Sequence, residues 1–259
     1  VCVLRNWTNK YHEGEFVRKA GLTALALSEK IDSHKSESFA YRDVQELLAG
    51  IVMNAAKELP KELAGLCLSF ADNWNNRDIK FHPLSELLLG DSGVAFYAAE
   101  AIPREYAAFL YEAWCMGEDE QGYPFCPSLD FEEEFRLRDQ GPSYYPPSAL
   151  QTPLYALFRS DWDAALELVC RIADHVVSAI ENSSLSDECI SSSLMAPGFG
   201  SITIVFSERL WMAHLGLGAC PDLYVSILMG FERWLIEQAD KATQNQLEDI
   251  CFKALSMSR

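Results

Sequence analysis

Lysine is missing from a long part of this sequence. Residues 81–240 contain 7 arginines and 25 acidic side chains but no lysine, whereas residues 1–80 hold 11 basic and 11 acidic side chains. The whole chain has a formal net charge of −17. Because an acidic surface repels phosphate groups, this charge argues against nucleic acid and anionic membrane as partners. The acidic block 81–240 is either a binding surface for a basic partner protein or neighbouring domain, or simply a solvated acidic surface.

Long apolar runs are missing as well. No stretch approaches the roughly 18 consecutive apolar residues that a membrane span needs. Hydrophobic residues make up 49% of the chain and charged residues 23%, a balance typical of a folded globular protein. The eight cysteines have no short regular spacing, which favours reduced core thiols in a cytoplasmic protein over a disulfide framework. The sequence starts at Val1 without a methionine, so we expect it to be part of a longer protein.

The motifs that mark catalysis or cofactor binding are also missing. The sequence has no Gly-x-x-x-x-Gly-Lys-Ser/Thr loop for nucleotide phosphates and no Gly-x-Gly-x-x-Gly dinucleotide motif. The five histidines show no His-x-x-x-His spacing and the cysteines no Cys-x-x-Cys spacing, so no metal site is indicated. For His175 we expect a solvent-facing or hydrogen-bonded core position. The sequence therefore predicts a chain without cofactor or metal that is not an enzyme.

What the sequence does contain is helical periodicity. Apolar residues recur at the spacing of one helix face in several long runs, which cover residues 101–116, 162–181, 202–215 and 224–239. The segment 201–206 is rich in β-branched residues and is the best strand candidate. Because it continues without a turn into a helical pattern, we predict a helix there, and an all-α fold. Residues 182–200 are predicted to form a surface loop.

An internal match at an offset of 70 residues suggests a repeat. Residues 83–96 and 153–166 share the pattern Pro-Leu-x-x-Leu-apolar-x-small-Asp-x-x-small-Ala-apolar. This pattern predicts a short helix opened by proline, a break, and a second helix with aspartate at its N-cap. Such helix pairs stack into α-solenoids, so we predict a helical-repeat array. It would comprise a helical half (1–116), an acidic, Pro/Gly/Tyr-rich connecting segment with a long irregular loop (117–152), and a second helical half (153–259).

The connecting segment and its border supply the candidate functional residues. The carboxylates favour a solvated acidic turn, but they could bind a partner or form a hydrolase site, and the aromatic residues could pack the loop or anchor a partner. A third alternative is an acidic inhibitor that mimics DNA. The candidate protein-binding residues are Asp130, Glu132, Glu133, Glu134, Tyr144, Tyr145 and Trp162.

Three segments together carry a resemblance to a known family. They are the run from Tyr144 through Pro146-Pro147-Ser148-Ala149 to Leu157, the run 209–216 around Trp211, and the run 220–235, which contains Ser226-Ile227-Leu228-Met229-Gly230-Phe231-Glu232-Arg233-Trp234-Leu235. They resemble the helical region of large bacterial antiviral STAND-type NTPases, the Avs-like phage-defence proteins. Gly230 and Phe231 depart from the alanine and leucine of that pattern.

The resemblance spans about residues 130–259 and consists of packing motifs. It implies a non-catalytic sensor or scaffold module within a larger protein whose NTPase and effector domains lie elsewhere. It also implies a protein partner, which would be either a phage protein such as a terminase or portal subunit or another domain of the same parent protein. It assigns no individual residue here to ligand contact.

Overall fold

The computed structural model of this chain is predominantly helical, with twelve α-helices among the described residues. This confirms the helical prediction at the level of fold class. The structure describes residues 1–11, 13–32, 39–80, 82–90, 95–117, 135–138, 147–182, 189–196, 200–207 and 220–257. The chain divides into two compact units, Val1–Leu110 and Tyr111–Arg259.

Unit 1 is built around one central helix. Its helices are α1 (Cys2–Lys10), α2 (Glu15–Asp32), α3 (Phe39–Asn54), a 3₁₀ turn (Ala56–Glu58), α4 (Pro60–Asp72), α5 (Arg77–Lys80), α6 (Pro83–Leu89) and α7 (Ala95–Ala101), and α8 (Pro103–Trp114) begins in this unit. The central helix α3 packs against α1, α2, α6 and α7. Its fully buried residues include Leu48, Ile51 and Met53, which form the middle of the core.

Prolines fix where several of these helices begin. Pro60 and Pro83 occupy the first helical position of α4 and α6, where a missing N–H costs no hydrogen bond. At α6 the Nδ1 atom of His82 also accepts a hydrogen bond of 3.1 Å from the backbone N–H of Leu84. A proline also sets the start of the helix predicted over 101–116. Helix α7 ends at Ala101, and α8 begins at Pro103.

Unit 2 combines four helices with one hairpin. The elements are α9 (Leu154–Ser160), α10 (Trp162–Glu181), β1 (Cys189–Ala196), β2 (Gly200–Ser207), α11 (Asp222–Ala239) and α12 (Gln244–Met257). The long helix α10 packs against α9, α11 and α12, and α9 also packs against α11. The Asp161 carboxylate caps α10 by accepting a 3.0 Å hydrogen bond from the backbone N–H of Ala164.

The hairpin corrects two predictions. Strands β1 and β2 pair antiparallel, from Cys189 opposite Ser207 to Ala196 opposite Gly200. The helix predicted over 202–215 is therefore wrong for residues 202–207, and the loop predicted over 182–200 is wrong for residues 189–196. The β-branched run of β2 is the physical reason, since such side chains lose rotamer freedom in a helix and fit a pleated strand. Residues 208–215 lie outside the described residues.

Both copies of the internal match form a pair of helices in contact. The first copy gives α6 and α7, and the second gives α9 and α10. In the second copy Asp161 is the N-cap, as its place in the pattern predicts. The equivalent Asp91 of the first copy lies outside the described residues.

Candidate functional site

Most of the predicted binding residues cannot be placed. Asp130, Glu132, Glu133 and Glu134 lie outside the described residues, as do Tyr144 and Tyr145. Trp162 is described, at the first position of α10, and its side chain is partly buried. Trp162 is thus the one member of the predicted set among the described residues.

Trp162 belongs to an aromatic stack that joins three helices of unit 2. Its ring lies 6.1 Å from that of Trp234 on α11, at an interplanar angle of 18°. Trp234 also stacks on Phe158 of α9 at 4.6 Å, and Phe158 stacks on Phe231 at 5.5 Å. Trp234 is 3% exposed, so the stack is core packing. Trp234 of α11 thus has a structural role.

The opposite side of α11 lines a shallow groove. Its volume is about 380 Å³, and it is lined by Ala149, Met229, Glu232, Arg233, Ile236 and Glu237. Met229 and Ile236 lie seven residues apart, on one helix face, and are 38% and 60% exposed. We name this surface, formed by Ala149, Met229, Glu232, Arg233, Ile236 and Glu237, the α11 groove.

Hydrogen bonds and charge pairs fix the polar edge of the α11 groove. The Tyr155 hydroxyl donates a 2.5 Å hydrogen bond to Glu237, whose carboxylate also pairs with Arg233 at 3.6 Å and Lys241 at 3.8 Å. The Arg233 guanidinium lies over the Tyr155 ring at 4.9 Å. The hydrogen bond from Tyr155, helped by Lys241 and Arg233, lowers the pKa of Glu237 below its usual value. Glu237 is therefore a structural carboxylate, ionised at neutral pH, and is unsuited to act as a general acid.

A second polar cluster in unit 2 surrounds the short segment 135–138. This segment pairs with the end of α8 through two 2.8 Å bonds, from Met116 N to Arg136 O and from Arg138 N to Trp114 O. The flanking side chains Phe135 and Leu137 are fully buried. Arg136 itself has a φ of +49°, in the left-handed region that is costly for a residue with a Cβ. Burial on both sides holds it there.

His175 of α10 is part of this cluster. Its Nε2 atom lies 2.9 Å from the carbonyl oxygen of Arg136, and because a carbonyl only accepts, Nε2 carries the proton. The ring of Tyr111 is edge-on to His175 at 6.2 Å, and the Arg171 guanidinium lies 3.9 Å from the centre of the Tyr111 ring. Burial lowers the pKa of His175. The histidine is half-buried and hydrogen-bonded, which makes it a structural residue of this cluster.

The buried cysteine thiols are poor nucleophiles. Of the six cysteines whose side chains the structure describes, all are free and four are buried, namely Cys67, Cys115, Cys170 and Cys220. Burial raises the pKa of Cys67 and of Cys115 to about 12, and that of Cys170 to about 11. Because the thiolate is the nucleophile, these residues are unreactive at neutral pH. Within the described parts of the chain, no three His, Cys, Asp or Glu side chains come together as metal ligands.

An exposed aromatic surface in unit 1 was not predicted from the sequence. Trp7, Tyr11 and Phe16 are 52%, 49% and 50% exposed, and the Trp7 ring lies 5.9 Å from Tyr11 and 5.6 Å from Phe16. The Lys10 ammonium lies 5.6 Å from the centre of the Tyr11 ring. The spacing of Trp7 and Tyr11 was visible in the sequence. It would ordinarily predict a core-facing stripe, and only the structure shows that the rings face outward.

Comparison with known proteins adds no assignment, since no protein family and no curated protein matches this sequence. Among the described helices, none combines the length and apolar character that crossing a bilayer requires. The functional argument therefore rests on the surfaces described above.

Proposed function

We propose that this chain is a non-catalytic helical module that binds a protein partner, as a sensor or scaffold within a larger antiviral STAND-type NTPase. The resemblance of residues 130–259 to that family suggests the setting. Trp234, in the part of α11 that carries the resemblance, supports it, because its ring packs against Phe158 of α9 and Trp162 of α10, as expected of a packing motif. In this proposal the helix pairs α6–α7 and α9–α10 are two units of a helical-repeat array, which offers an extended binding surface.

The observation that carries the proposal is that α11 is buried on one side and exposes apolar side chains on the other. One side is buried in the aromatic stack, and the other leaves Met229 and Ile236 exposed in the α11 groove. Exposed apolar side chains grouped in a groove and edged by charged residues are typical of a protein-binding surface. The α11 groove is thus where we place the partner.

The partner in this proposal carries a basic, apolar-containing segment. Unit 2 holds 23 acidic and 9 basic side chains, a net charge of −14, whereas unit 1 holds 15 and 12, a net charge of −3. Such a charge attracts a basic partner at long range, while Met229 and Ile236 supply the apolar contact. A phage protein or a basic domain of the parent protein would meet these requirements.

A binding measurement with the purified chain tests the proposal. Purified terminase and portal subunits of phages would be titrated against the wild-type chain and against Ile236→Asp. Leu68→Asp is the matched control, since Leu68 is 44% exposed on α4 in unit 1. We expect a subunit with a basic surface to bind the wild type and the control but to lose affinity for Ile236→Asp. Equal binding to all three chains would remove the α11 groove from the proposal, and binding to none would contradict the sensor role.

A further inference from the structure

Helix α1 directs apolar side chains to water, unlike an ordinary surface helix. Within α1, whose residues are all described, Thr8 is the one buried side chain. The apolar residues Val3 and Trp7, spaced four apart, face outward at 69% and 52% exposure, and Tyr11 continues their stripe at 49%. A surface helix usually directs its apolar stripe to the core and its polar residues to water. In α1 the stripe of Val3 and Trp7 faces water instead, and only Thr8 is buried and Leu4 partly buried on the inner side.

Polar contacts hold α1 in this orientation. The Asn54 side-chain amide of α3 donates to the side-chain oxygens of Asn9 and Thr8, the latter at 3.4 Å. The Thr8 hydroxyl in turn donates to the Arg5 carbonyl at 3.1 Å. Asn54 is 8% exposed and Thr8 is 0% exposed, so these groups depend on one another for hydrogen bonds. Rotating α1 to bury Trp7 would break this buried network, which therefore keeps the aromatic stripe outward.

The exposed stripe has the composition of a binding hot spot. Tryptophan and tyrosine dominate the energetics of protein interfaces because they bury a large rigid area at small entropic cost. We name the surface formed by Val3, Trp7, Lys10, Tyr11 and Phe16 the α1 patch. The Trp7 ring neighbours both the Tyr11 ring and the Phe16 ring, so a partner would meet one continuous aromatic surface.

The charge of α1 is opposite to that of the rest of the molecule. The helix carries Arg5 and Lys10 and no acidic side chain, in a chain with a net charge of −17. Both cations are exposed, and Lys10 lies beside the Tyr11 ring. The Arg5 side chain projects from the other side of α1, toward Gly50 of α3, so Lys10 is the cation of the α1 patch. An acidic segment is therefore the complementary occupant, since a carboxylate would pair with Lys10 while its apolar side chains cover the rings.

We propose that the α1 patch is a second binding surface, which docks a segment of a partner protein that carries both acidic and apolar side chains. It uses residues of unit 1 and a partner chemistry opposite to that of the α11 groove. Because the two surfaces share no residue, we expect a variant of one to leave binding at the other unchanged.

Selection from a surface-displayed library of random peptides tests this proposal without assuming a partner. The wild-type chain should enrich peptides with Asp or Glu next to large apolar residues. The best of them, labelled and titrated with the chain, should lose affinity by about 30-fold or more for Trp7→Ala, the loss typical of a hot-spot residue. Lys10→Glu should also weaken binding, and Lys10→Arg should preserve it. Leu68→Ala, which removes an exposed apolar side chain elsewhere in unit 1, should have no effect.

Other results would overturn the proposal. Enrichment of basic or uncharged peptides, or equal affinity of the wild type and Trp7→Ala, would contradict it. Self-association of the chain in sedimentation that Trp7→Ala abolishes would assign the α1 patch to a second copy. Binding to vesicles of phosphatidylglycerol that Trp7→Ala abolishes would assign it to a lipid surface. Because Trp7 and Lys10 are exposed, variants at both positions should fold, and thermal unfolding curves check this. Ile236→Asp, measured in parallel, should lose binding at the α11 groove but keep binding at the α1 patch, which separates a failure of this proposal from a failure of the proposed function.

Discussion

At the scale of single residues, the clearest consequence concerns the protonation of His175. Burial, followed by the charges of Arg136 and Arg138, lowers its pKa, while the hydrogen bond to the Arg136 carbonyl and the charge of Glu112 act in the opposite direction. The net effect favours the neutral ring in the folded state. The hydrogen bond from Nε2 to Arg136 O, at 2.9 Å, is available to that neutral form.

We expect acid to destabilise the fold through His175. The unfolded chain, with a histidine pKa of about 6.5, binds the proton more tightly than the folded chain. The free energy of unfolding should therefore fall as pH drops from about 6.5 through the lower folded-state pKa. His175→Gln keeps a donor toward the carbonyl but does not titrate, so its stability should depend less on pH across this window. Urea unfolding of both proteins as a function of pH measures this, and identical pH dependences would contradict it.

Two helical glycines should respond in opposite ways to alanine. A Cβ at Gly21 in α2 would come within 2.4 Å of a Leu59 methyl carbon and 2.8 Å of the Ala55 Cβ, both of which belong to a buried cluster with Val17. A Cβ at Gly65 in α4 would meet nothing within 4 Å. Gly21→Ala should destabilise unit 1 by about 1–3 kcal/mol through overpacking. Gly65→Ala should stabilise it by about 0.5–1 kcal/mol, because alanine loses less backbone entropy in a helix.

Urea denaturation of the two single variants checks this pair directly. Gly65→Ala serves as the control for helix propensity, since both glycines lie inside helices. A stabilising effect at Gly21 would mean that α2 and the Ala55–Leu59 turn are less closely packed than the structure shows.

At the scale of elements, the hairpin allows a test that separates strand from helix. Ile204 lies in the middle of β2, opposite Ser192 of β1. Ile204→Pro removes a backbone donor and fixes φ, which a paired strand tolerates poorly. We expect amide protection to fall along β1 and β2 in hydrogen exchange, while the helical circular dichroism signal stays unchanged. If residues 202–207 were helical, the variant would instead reduce that signal.

The sequence predicted helices well where the apolar pattern was long and uninterrupted. The run 162–181 coincides with α10, and the run 224–239 lies within Asp222–Ala239. The hairpin was missed because a short β-branched run next to a helical pattern is ambiguous by periodicity alone. The α1 patch was missed for a different reason. Periodicity shows that a helix has an apolar face, but the direction of that face depends on the distant Asn54, which no local pattern contains.

The candidate site, too, could be predicted only in part from the sequence. The sequence singled out Trp162, and the structure places it against Trp234, a residue 72 positions away that local reasoning could not pair with it. The α11 groove depends on residues that are separated along the chain as well. Met229 and Ile236 share a face by helical geometry, but Ala149 joins them only through the fold of unit 2.

At the scale of the whole molecule, the asymmetry of charge sets how binding should respond to salt. Unit 2 carries the larger share of the negative charge, and exposed charges separated by more than about 8 Å are screened at physiological ionic strength. Affinity of a basic partner for the chain should therefore fall as NaCl rises from about 0.05 to about 0.3 M, mostly through a slower association rate. Stopped-flow or surface-based kinetics across this range measure both rates. An affinity independent of salt would contradict the electrostatic part of the proposed function.

The outward position of Trp7 also has an optical consequence. Of the five described tryptophans, Trp7 is 52% exposed, whereas Trp74, Trp114 and Trp234 are 5% exposed or less. Its emission should therefore lie at longer wavelength than theirs and be quenched first by acrylamide. The chain thus carries an intrinsic fluorophore on the α1 patch, and any molecule that covers this surface should shift the spectrum to the blue without a label.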